Sequence, residues 1–262
     1  MPIAAKTLYD ARRSLGFWAL ALVVVVAVNV PVFSQYENTD VLTAQAEALP
    51  ESLRETLGMD QIATAAGYIQ STIFGLNALV LLLIFAIGFG TRSLAGEEEA
   101  GTLDLLLAHP VSRRRLVVER VAALAVGATA LSSAIGVSVW GFAAWLGLDV
   151  RASGIAAASL ALSLLATACG TLAVAVGAAL GRRGVVLAMT AGAVVMAYLL
   201  WAVGPQVPAV NGLERLSPFD WYLGSDPVVN GADRPGLALL AMLTVACASA
   251  AVVLFERRDI RT

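Results

Sequence analysis

The chain has 262 residues, of which 59% are hydrophobic and 14% are charged, and its mean hydropathy is +0.80. Soluble domains carry about 25% charged residues, so this composition excludes an ordinary soluble protein and makes a lipid bilayer the expected solvent. The net charge of −2 says nothing about partners, and we expect no nucleic acid among them. At this length we expect a single transmembrane domain over residues 1–262, with no second globular module.

Six apolar runs follow one another along the chain, and each is long enough to cross a bilayer, which takes about 20 residues. The charged clusters lie between these runs, which cover residues 17–34, 69–91, 116–148, 152–181, 184–204 and 235–255. The sequence therefore predicts an all-α integral membrane protein with six transmembrane helices. Because that number is even, both termini are expected on the same side.

The distribution of basic residues predicts the orientation, since Lys and Arg that flank the spans are retained in the cytoplasm. With the N-terminus inside, 13 of the 17 basic residues lie on the cytoplasmic side. The other four are Arg54, Arg151, Arg215 and Arg234. We therefore expect both termini in the cytoplasm.

Two further helices are expected outside the spans. Residues 2–15 place apolar side chains on one face and Lys6, Arg12 and Arg13 elsewhere, which suits an N-terminal interfacial helix; a simple basic flank to the first span is the alternative. Residues 40–66, in the outer connection after the first span, repeat apolar residues at roughly helical intervals. This pattern predicts an outer helical connection.

The chain offers little for catalysis. Its single histidine, His109, has no cluster of potential metal ligands around it in sequence, and we expect no catalytic residue and no metal site. A nucleotide-binding loop of the Gly-x-x-x-x-Gly-Lys-Ser/Thr type needs a lysine after glycine, but the only lysine, Lys6, is preceded by no glycine. The chain is therefore not its own ATPase of that type.

The segment 96–112, between the second and third spans, combines dense charge with a short amphipathic pattern. Thr102 can cap a helix that opens at Gly101, and Leu103, Leu106 and Leu107 then share one face before Pro110 ends it. Such an apolar face suits a groove on a partner protein. Contact with the membrane interface or with neighbouring helix ends is the structural alternative.

This segment resembles the coupling-helix region of the permease subunits of ABC-2 (type-2 ABC) transporters. The similarity extends over the whole chain, through the six spans, the long outer connection, Leu216-Ser217-Pro218 and the ending Phe255–Ile260. It is strongest for the short prokaryotic permeases. The matching residues of the segment are Glu97, Glu99, Gly101, Thr102, Leu103, Asp104, Leu106, Leu107, Ala108, Pro110, Val111, Ser112 and Arg113.

The resemblance implies an exporter permease in a prokaryotic cell membrane, working as a dimer, most simply a homodimer, with two copies of a separate ATP-binding subunit. ATP and Mg would be bound by that partner, and no cofactor by this chain. Glu97 and Glu99 would contact the ATPase, Leu103, Leu106 and Leu107 would fill its groove, and Pro110 would set the turn into the third span. Glu98 departs from the family pattern, because many relatives have a basic residue there.

Two alternatives to an exporter stay open from the sequence. The chain could be a membrane scaffold or maturation factor that anchors an ATPase, or an ion-coupled carrier, although the spans hold almost no ionisable residue. The substrate path is marked only by Asn29 and Asn77, the clearest intramembrane amides, and either of them could equally form a hydrogen bond across helices.

Overall fold

The computed structural model describes residues 3–36, 61–101, 112–207 and 212–258, together with residues 44, 47–48, 51 and 54. Among these residues there are helices and turns but no strand. Six of the described helices are long and apolar enough to cross a membrane. The prediction of an all-α, multi-pass membrane protein is therefore confirmed.

The six long helices fall close to the predicted spans, with two short helices before the last. In chain order they are α1 Ile3–Tyr36, α2 Ala65–Glu99, α3 Arg113–Leu146, α4 Ala152–Leu180, α5 Arg183–Val203, the short α6 Pro218–Leu223 and α7 Pro227–Asn230, and α8 Arg234–Arg257. Within α2, the stretches Ile69–Asn77 and Arg92–Gly96 have π-helical hydrogen bonding.

The predicted separate interfacial helix at the N-terminus was wrong. Residues 3–36 form one continuous helix, and the backbone N–H of Ala4 donates a hydrogen bond of 2.9 Å to Glu119 Oε2 on α3. Leu8, Ala11 and Leu15, which were expected to face the membrane surface, instead pack against the core of the bundle. An amphipathic pattern records only that one face is apolar, and here a neighbouring helix covers that face.

Most of the predicted outer helix over 40–66 lies outside the described residues. The described structure resumes at Gln61, and the side-chain oxygen of Thr64 accepts a hydrogen bond of 3.0 Å from Gly67 N–H as α2 begins. The start of α2 is thus capped in the usual way by a threonine.

The central helix of the bundle is α4, which is buried along most of its length against α2, α3 and α8. Its small residues allow the close approach that membrane helices depend on for packing. At the crossing with α2, a methyl group added at Gly90 would lie 2.2 Å from the carbonyl oxygen of Gly170. Only glycine at this position allows α2 and α4 to meet so closely.

The helix ends meet in two groups. The starts of α1, α3 and α5 lie beside the ends of α2, α4 and α8, as contacts among Ala4, Glu119, Glu99, Arg183 and Arg258 show. We call this the terminal end of the bundle, because the described chain begins and finishes there.

At the opposite end, α6 and α7 pack into the bundle. Tyr222 Oη donates to the carbonyl of Phe74 at 2.9 Å, and Gln70 Oε1 accepts from Val228 N–H at 3.0 Å, so both short helices are fastened to the π-helical part of α2. Within the described part of the connection from α5 to α8, the short helices α6 and α7 are therefore packed against the bundle.

Candidate functional site

The predicted docking segment lies between α2 and α3 in sequence, and the described residues on either side of it lie at the terminal end. Of the residues assigned to docking, Glu97, Glu99 and Gly101 are described, and they close α2. Thr102, Leu103, Leu106, Leu107 and Pro110 lie outside the described residues. What the structure defines is how the two ends of the segment 102–111 are held.

Each end of this segment has its own helix cap. Gly101 has a φ of +66°, in the left-handed region that favours glycine, and its N–H donates to Glu98 O at 3.0 Å. On the far side, Ser112 Oγ accepts from Arg115 N–H at 3.3 Å and begins α3. Gly101 therefore follows the end of α2, and Ser112 caps the start of α3.

The first of three consecutive glutamates, Glu97, forms an ion pair with Arg120 of α3. The same guanidinium donates a hydrogen bond of 2.7 Å to Thr7 Oγ1 of α1. Arg120 is only 7% exposed, so its charge depends on these partners rather than on water. The pair thus ties together α1, α2 and α3.

The second glutamate, Glu98, pairs with Arg258, just beyond the end of α8. The contact is bidentate, with Arg258 Nη1 at 3.0 Å from Glu98 Oε2 and Nη2 at 2.6 Å from Oε1. It lies against Gly181, where α4 ends with a φ of +64° and where an added methyl group would approach Arg258 Nη2 to 2.2 Å. The cationic side chain therefore lies at the carboxyl end of α4, where the helix dipole favours positive charge.

The third glutamate, Glu99, contacts the start of α5. Its Oε1 accepts a hydrogen bond of 2.8 Å from the backbone N–H of Arg183. A carboxylate at this place satisfies one of the free amide groups that begin a helix, and it interacts favourably with the helix dipole. The three glutamates together touch four elements besides their own helix.

Arg113, at the start of α3, reaches the same end of α8. Its Nη1 donates to the carbonyl oxygens of Phe255 at 3.0 Å and of Arg258 at 2.6 Å. Arginine is a suitable donor for the free carbonyls that close a helix. Both ends of the segment 102–111 are therefore fastened to the last turn of α8 and to Arg258, one end through Glu98 and the other through Arg113.

The sequence alone did not identify Arg120, Arg258 or Gly181 as parts of this site. A signal was present for Arg120, because it falls inside the predicted span 116–148, where a charge is costly and implies a partner. The identity of the partner depends on which helices are neighbours. Arg258 has the ordinary role of a basic residue that flanks a span, and Gly181 that of a glycine that ends a helix. Neither residue therefore indicated a contact with the docking segment.

A cavity of about 300 Å³ opens beside the Glu97–Arg120 pair, between α1, α2 and α3. Polar and charged groups line it, among them Asp10, Arg92 and Ser93. In the part of the chain that the structure describes, no three His, Cys, Asp or Glu side chains are placed to hold a metal ion.

The two amides assigned to the substrate path meet between α1 and α2. Asn77 Nδ2 lies 3.5 Å from Asn29 Oδ1, and Asn29 Nδ2 donates to the carbonyl of Val25 at 2.9 Å. The structure thus brings the two residues together as a contact between helices. Their role in a substrate path stays a prediction.

A separate apolar groove of about 360 Å³ lies between α2 and α5. Its walls include Leu76 and Val80 from α2 and Leu187 and Val195 from α5. All four side chains are exposed, as expected of surfaces that face lipid or another protein within a membrane.

Acidic residues gather at the opposite end, where Glu214, Asp220 and Asp226 line a cavity of about 270 Å³. Burial raises the pKa of Asp226 above its ordinary value. Burial also raises the pKa of Asp220, and the neighbouring Glu214 and Asp233 add to that increase while Arg215 opposes it. Asp226 has, in addition, a left-handed φ of +47°, which is costly for a residue other than glycine.

Comparison with known families adds the final observation. A family model described as "ABC-2 family transporter protein" matches residues 1–260, nearly the whole chain. Comparison with curated proteins gives no match.

Proposed function

The chain belongs to the ABC-2 family of transporter proteins and is a permease subunit of an ABC transporter, and from this premise we propose that it is an exporter permease that docks a separate ATPase through residues 102–111. The observation that carries the proposal is the anchoring of both ends of that segment. Glu98 and Arg113, which flank it, are held at the same helix end by contacts of 2.6 to 3.0 Å. A segment anchored in this way can transmit a force from a partner into the bundle.

The energy for transport comes from outside this chain in the proposed mechanism. The only lysine lies at position 6 with no glycine before it, so a phosphate-binding loop of the Gly-x-x-x-x-Gly-Lys-Ser/Thr type is excluded. ATP and Mg are bound by the partner subunit. Closure of two ATPase subunits around ATP then moves the docking segments, and through them the transmembrane helices.

The terminal end faces the cytoplasm in this proposal, where ATP is available. With this orientation 13 of the 17 basic residues are expected on the cytoplasmic side, in agreement with the tendency of Lys and Arg to stay there. Two copies of the permease form the transport unit, with one ATPase subunit docked on each, in the cell membrane of a prokaryote.

Residues on the docking segment have distinct proposed roles. Leu103, Leu106 and Leu107 fill an apolar groove on the ATPase, because an amphipathic helix binds a partner by inserting such a row of side chains. Glu97 and Glu99 act next to the groove, with their carboxylates oriented by Arg120 and Arg183. Pro110 turns the chain toward α3.

The test is gentle purification from native membranes, followed by mass-spectrometric identification of proteins recovered in near-equal amount. We expect a soluble subunit that carries a nucleotide-binding loop. In the Leu106→Asp variant this subunit should be lost while the permease still inserts in the membrane.

A matched control is Leu213→Asp, because Leu213 is 46% exposed and lies just before α6, at the end of the bundle opposite the terminal end. That variant should retain the ATPase. Full recovery of the ATPase with Leu106→Asp would contradict docking through this segment, and a permease that purifies alone yet moves solute would contradict the proposal as a whole.

A further inference from the structure

The end of α8 is held both by apolar packing and by polar contacts. Phe255 is buried in a small apolar cluster with Leu94, Leu116, Val174 and Ala178, which places the helix end against α2, α3 and α4. Arg258 follows directly after the last residue of α8, and its side chain and carbonyl oxygen both make hydrogen bonds.

The two bonds go to opposite ends of the docking segment. The guanidinium of Arg258 binds Glu98, three residues before Gly101, and its carbonyl oxygen accepts from Arg113, the first residue of α3. Glu98 and Arg113 are 15 positions apart in sequence, and the segment 102–111 lies between them. A single residue thus contacts the chain on both sides of that segment.

The local structure at Gly181 provides an independent sign that this contact is specific. At Gly181 the α4 helix ends in the left-handed conformation, and the space left by the missing side chain is filled by Arg258 Nη1 and Nη2 and by Glu98 Oε2. An alanine methyl group would overlap all three atoms, at distances of 2.2 to 2.5 Å. The pair therefore has a defined seat on the end of a buried helix.

We propose that Arg258 is a positioning residue for the docking segment: it holds the two ends of residues 102–111 in the spacing that the ATPase subunit recognises. The inference rests on the proposed function, since it assigns a role within ATPase docking. It adds that Arg258, which lies far from residues 102–111 in sequence, controls how well they bind the ATPase.

The bidentate geometry explains why arginine is needed. A guanidinium presents two parallel N–H donors to the two carboxylate oxygens and so fixes the direction of Glu98, whereas a lysine ammonium would make a single, less directional contact. The Glu98 and Arg258 side chains are 22% and 24% exposed, so salt should weaken but not abolish the pair.

The experiment measures the affinity of the purified permease, in lipid nanodiscs, for the ATPase subunit that co-purifies with it. Arg258→Ala is expected to weaken binding at least tenfold. The matched control is Arg257→Ala, because this neighbouring arginine is exposed at the end of the same helix, and its binding should stay within about twofold of the unchanged protein.

A charge exchange, with the unfolding temperature measured beside the affinity, tests whether the pairing of Glu98 with Arg258 is what docking requires. Glu98→Arg should bind as weakly as Arg258→Ala, and the double variant Glu98→Arg with Arg258→Glu should regain most of the affinity. Restoration by the reversed pair would show that the pairing itself is required, and unfolding temperatures that stay close to that of the unchanged protein in all three variants would assign the effect to docking rather than to folding. Weak binding by the double variant together with normal binding by Arg258→Ala would overturn the proposal.

A reversible tether tests the same point within one preparation. Glu98→Cys with Arg258→Cys is made in a chain whose own cysteines, Cys169 and Cys247, are replaced by alanine. The untethered form should bind the ATPase weakly. A short bis-methanethiosulfonate linker, which forms a disulfide with each cysteine and releases methanesulfinate, should restore affinity, and reduction of the two disulfides with dithiothreitol should remove it again.

The outcomes distinguish the proposed function from the role of Arg258. Failure of the unchanged permease to bind any ATPase would overturn the proposed function. Strong binding by the unchanged permease, equally strong binding by Arg258→Ala and no effect of the tether would leave the proposed function intact and overturn this inference alone.

Discussion

Arg120 and Glu97 form an ion pair where three helices meet, with Thr7 of α1 accepting a second hydrogen bond from the same guanidinium. Arg120 lies in the second turn of α3, and its side chain is 9% exposed against 23% for Glu97. The arrangement connects Glu97, near the end of α2, with α3, the helix that follows residues 102–111. Loss of this ion pair should lower both the free energy of unfolding and the affinity for the ATPase.

Arg120→Ala is expected to lower the free energy of unfolding by about 2 to 3 kcal/mol, because it leaves the carboxylate of Glu97 in a partly buried place without its counter-charge. Thermal unfolding in detergent measures this. Arg114→Ala is the control, since Arg114 is exposed at the start of the same helix. A double variant, Arg120→Met with Glu97→Gln, should recover part of the loss, and equal unfolding temperatures for Arg120→Ala and the unchanged protein would contradict the role of the pair.

Gly181→Ala should weaken ATPase docking more than its effect on backbone conformation predicts. Gly181 and Gly147 both end helices with left-handed φ values, of +64° and +71°, but a methyl group at Gly147 meets nothing within 4 Å. Each alanine should cost about 1 kcal/mol of stability through strain. Only Gly181→Ala should also displace the Glu98–Arg258 pair.

Comparison of these two glycine variants isolates the contact from the strain. Unfolding temperature and ATPase affinity are measured for both, and a loss of affinity confined to Gly181→Ala is expected. Equal affinities in the two variants would show that the seat of the ion pair on α4 has no influence on docking.

Asp226→Asn should stabilise the protein at neutral pH. Burial raises the pKa of Asp226, so the folded state binds the proton of this carboxyl more tightly than the unfolded state does. The free energy of unfolding therefore falls as the pH rises from about 4, the pKa in the unfolded chain, through the pKa in the folded protein. Asparagine has no charge to bury and tolerates the left-handed φ of +47° better.

The pH profile of the unfolding temperature checks this prediction. The gain from Asp226→Asn should be present at pH 7 and should shrink below about pH 4, where aspartate is protonated in both states. Asp233→Asn is not a suitable control, because Asp233 Oδ2 caps α8 by accepting from Gly236 N–H at 3.0 Å. Glu256→Gln, at an exposed site near the end of α8, serves instead. A gain that is the same at both pH values would contradict the assignment.

Replacing Asn29 or Asn77 by leucine should each cost about 1 kcal/mol of stability, the usual contribution of a polar contact between membrane helices. The double variant should cost less than the sum, because both single changes break the same 3.5 Å contact. Steric-trap unfolding in bicelles gives the coupling energy. Strictly additive losses would mean that the two amides act independently and would favour separate roles in a substrate path.

The spans were predictable because their limits depend on composition alone. The predicted 152–181 corresponds to Ala152–Leu180, and the predicted 184–204 to Arg183–Val203, since charged residues and a helix-ending glycine mark these boundaries in the sequence. The resemblance to the ABC-2 family, carried by the segment 96–112 and the overall pattern, is confirmed by the match over residues 1–260.

The N-terminal helix differs from its prediction. The apolar face that includes Leu8 and Leu15 has the same spacing whether it meets lipid headgroups or a neighbouring helix. In the structure, α3 runs beside α1 from Glu119 onward and covers that face. Periodicity identifies a face, but it does not identify what covers the face.

By itself the sequence determined the class of protein, the number of spans and the family, because hydrophobic length, charge placement and a local motif are properties of short stretches of chain. Only the tertiary structure decided that Glu98 meets Arg258, 160 positions later, and that Arg113 reaches the same helix end. Several arginines flank the spans, and any of them satisfies the same rule of charge placement. Which one pairs with which glutamate depends on the order in which six helices pack, and that order is fixed by close contacts such as Gly90 against Gly170 rather than by the charges themselves.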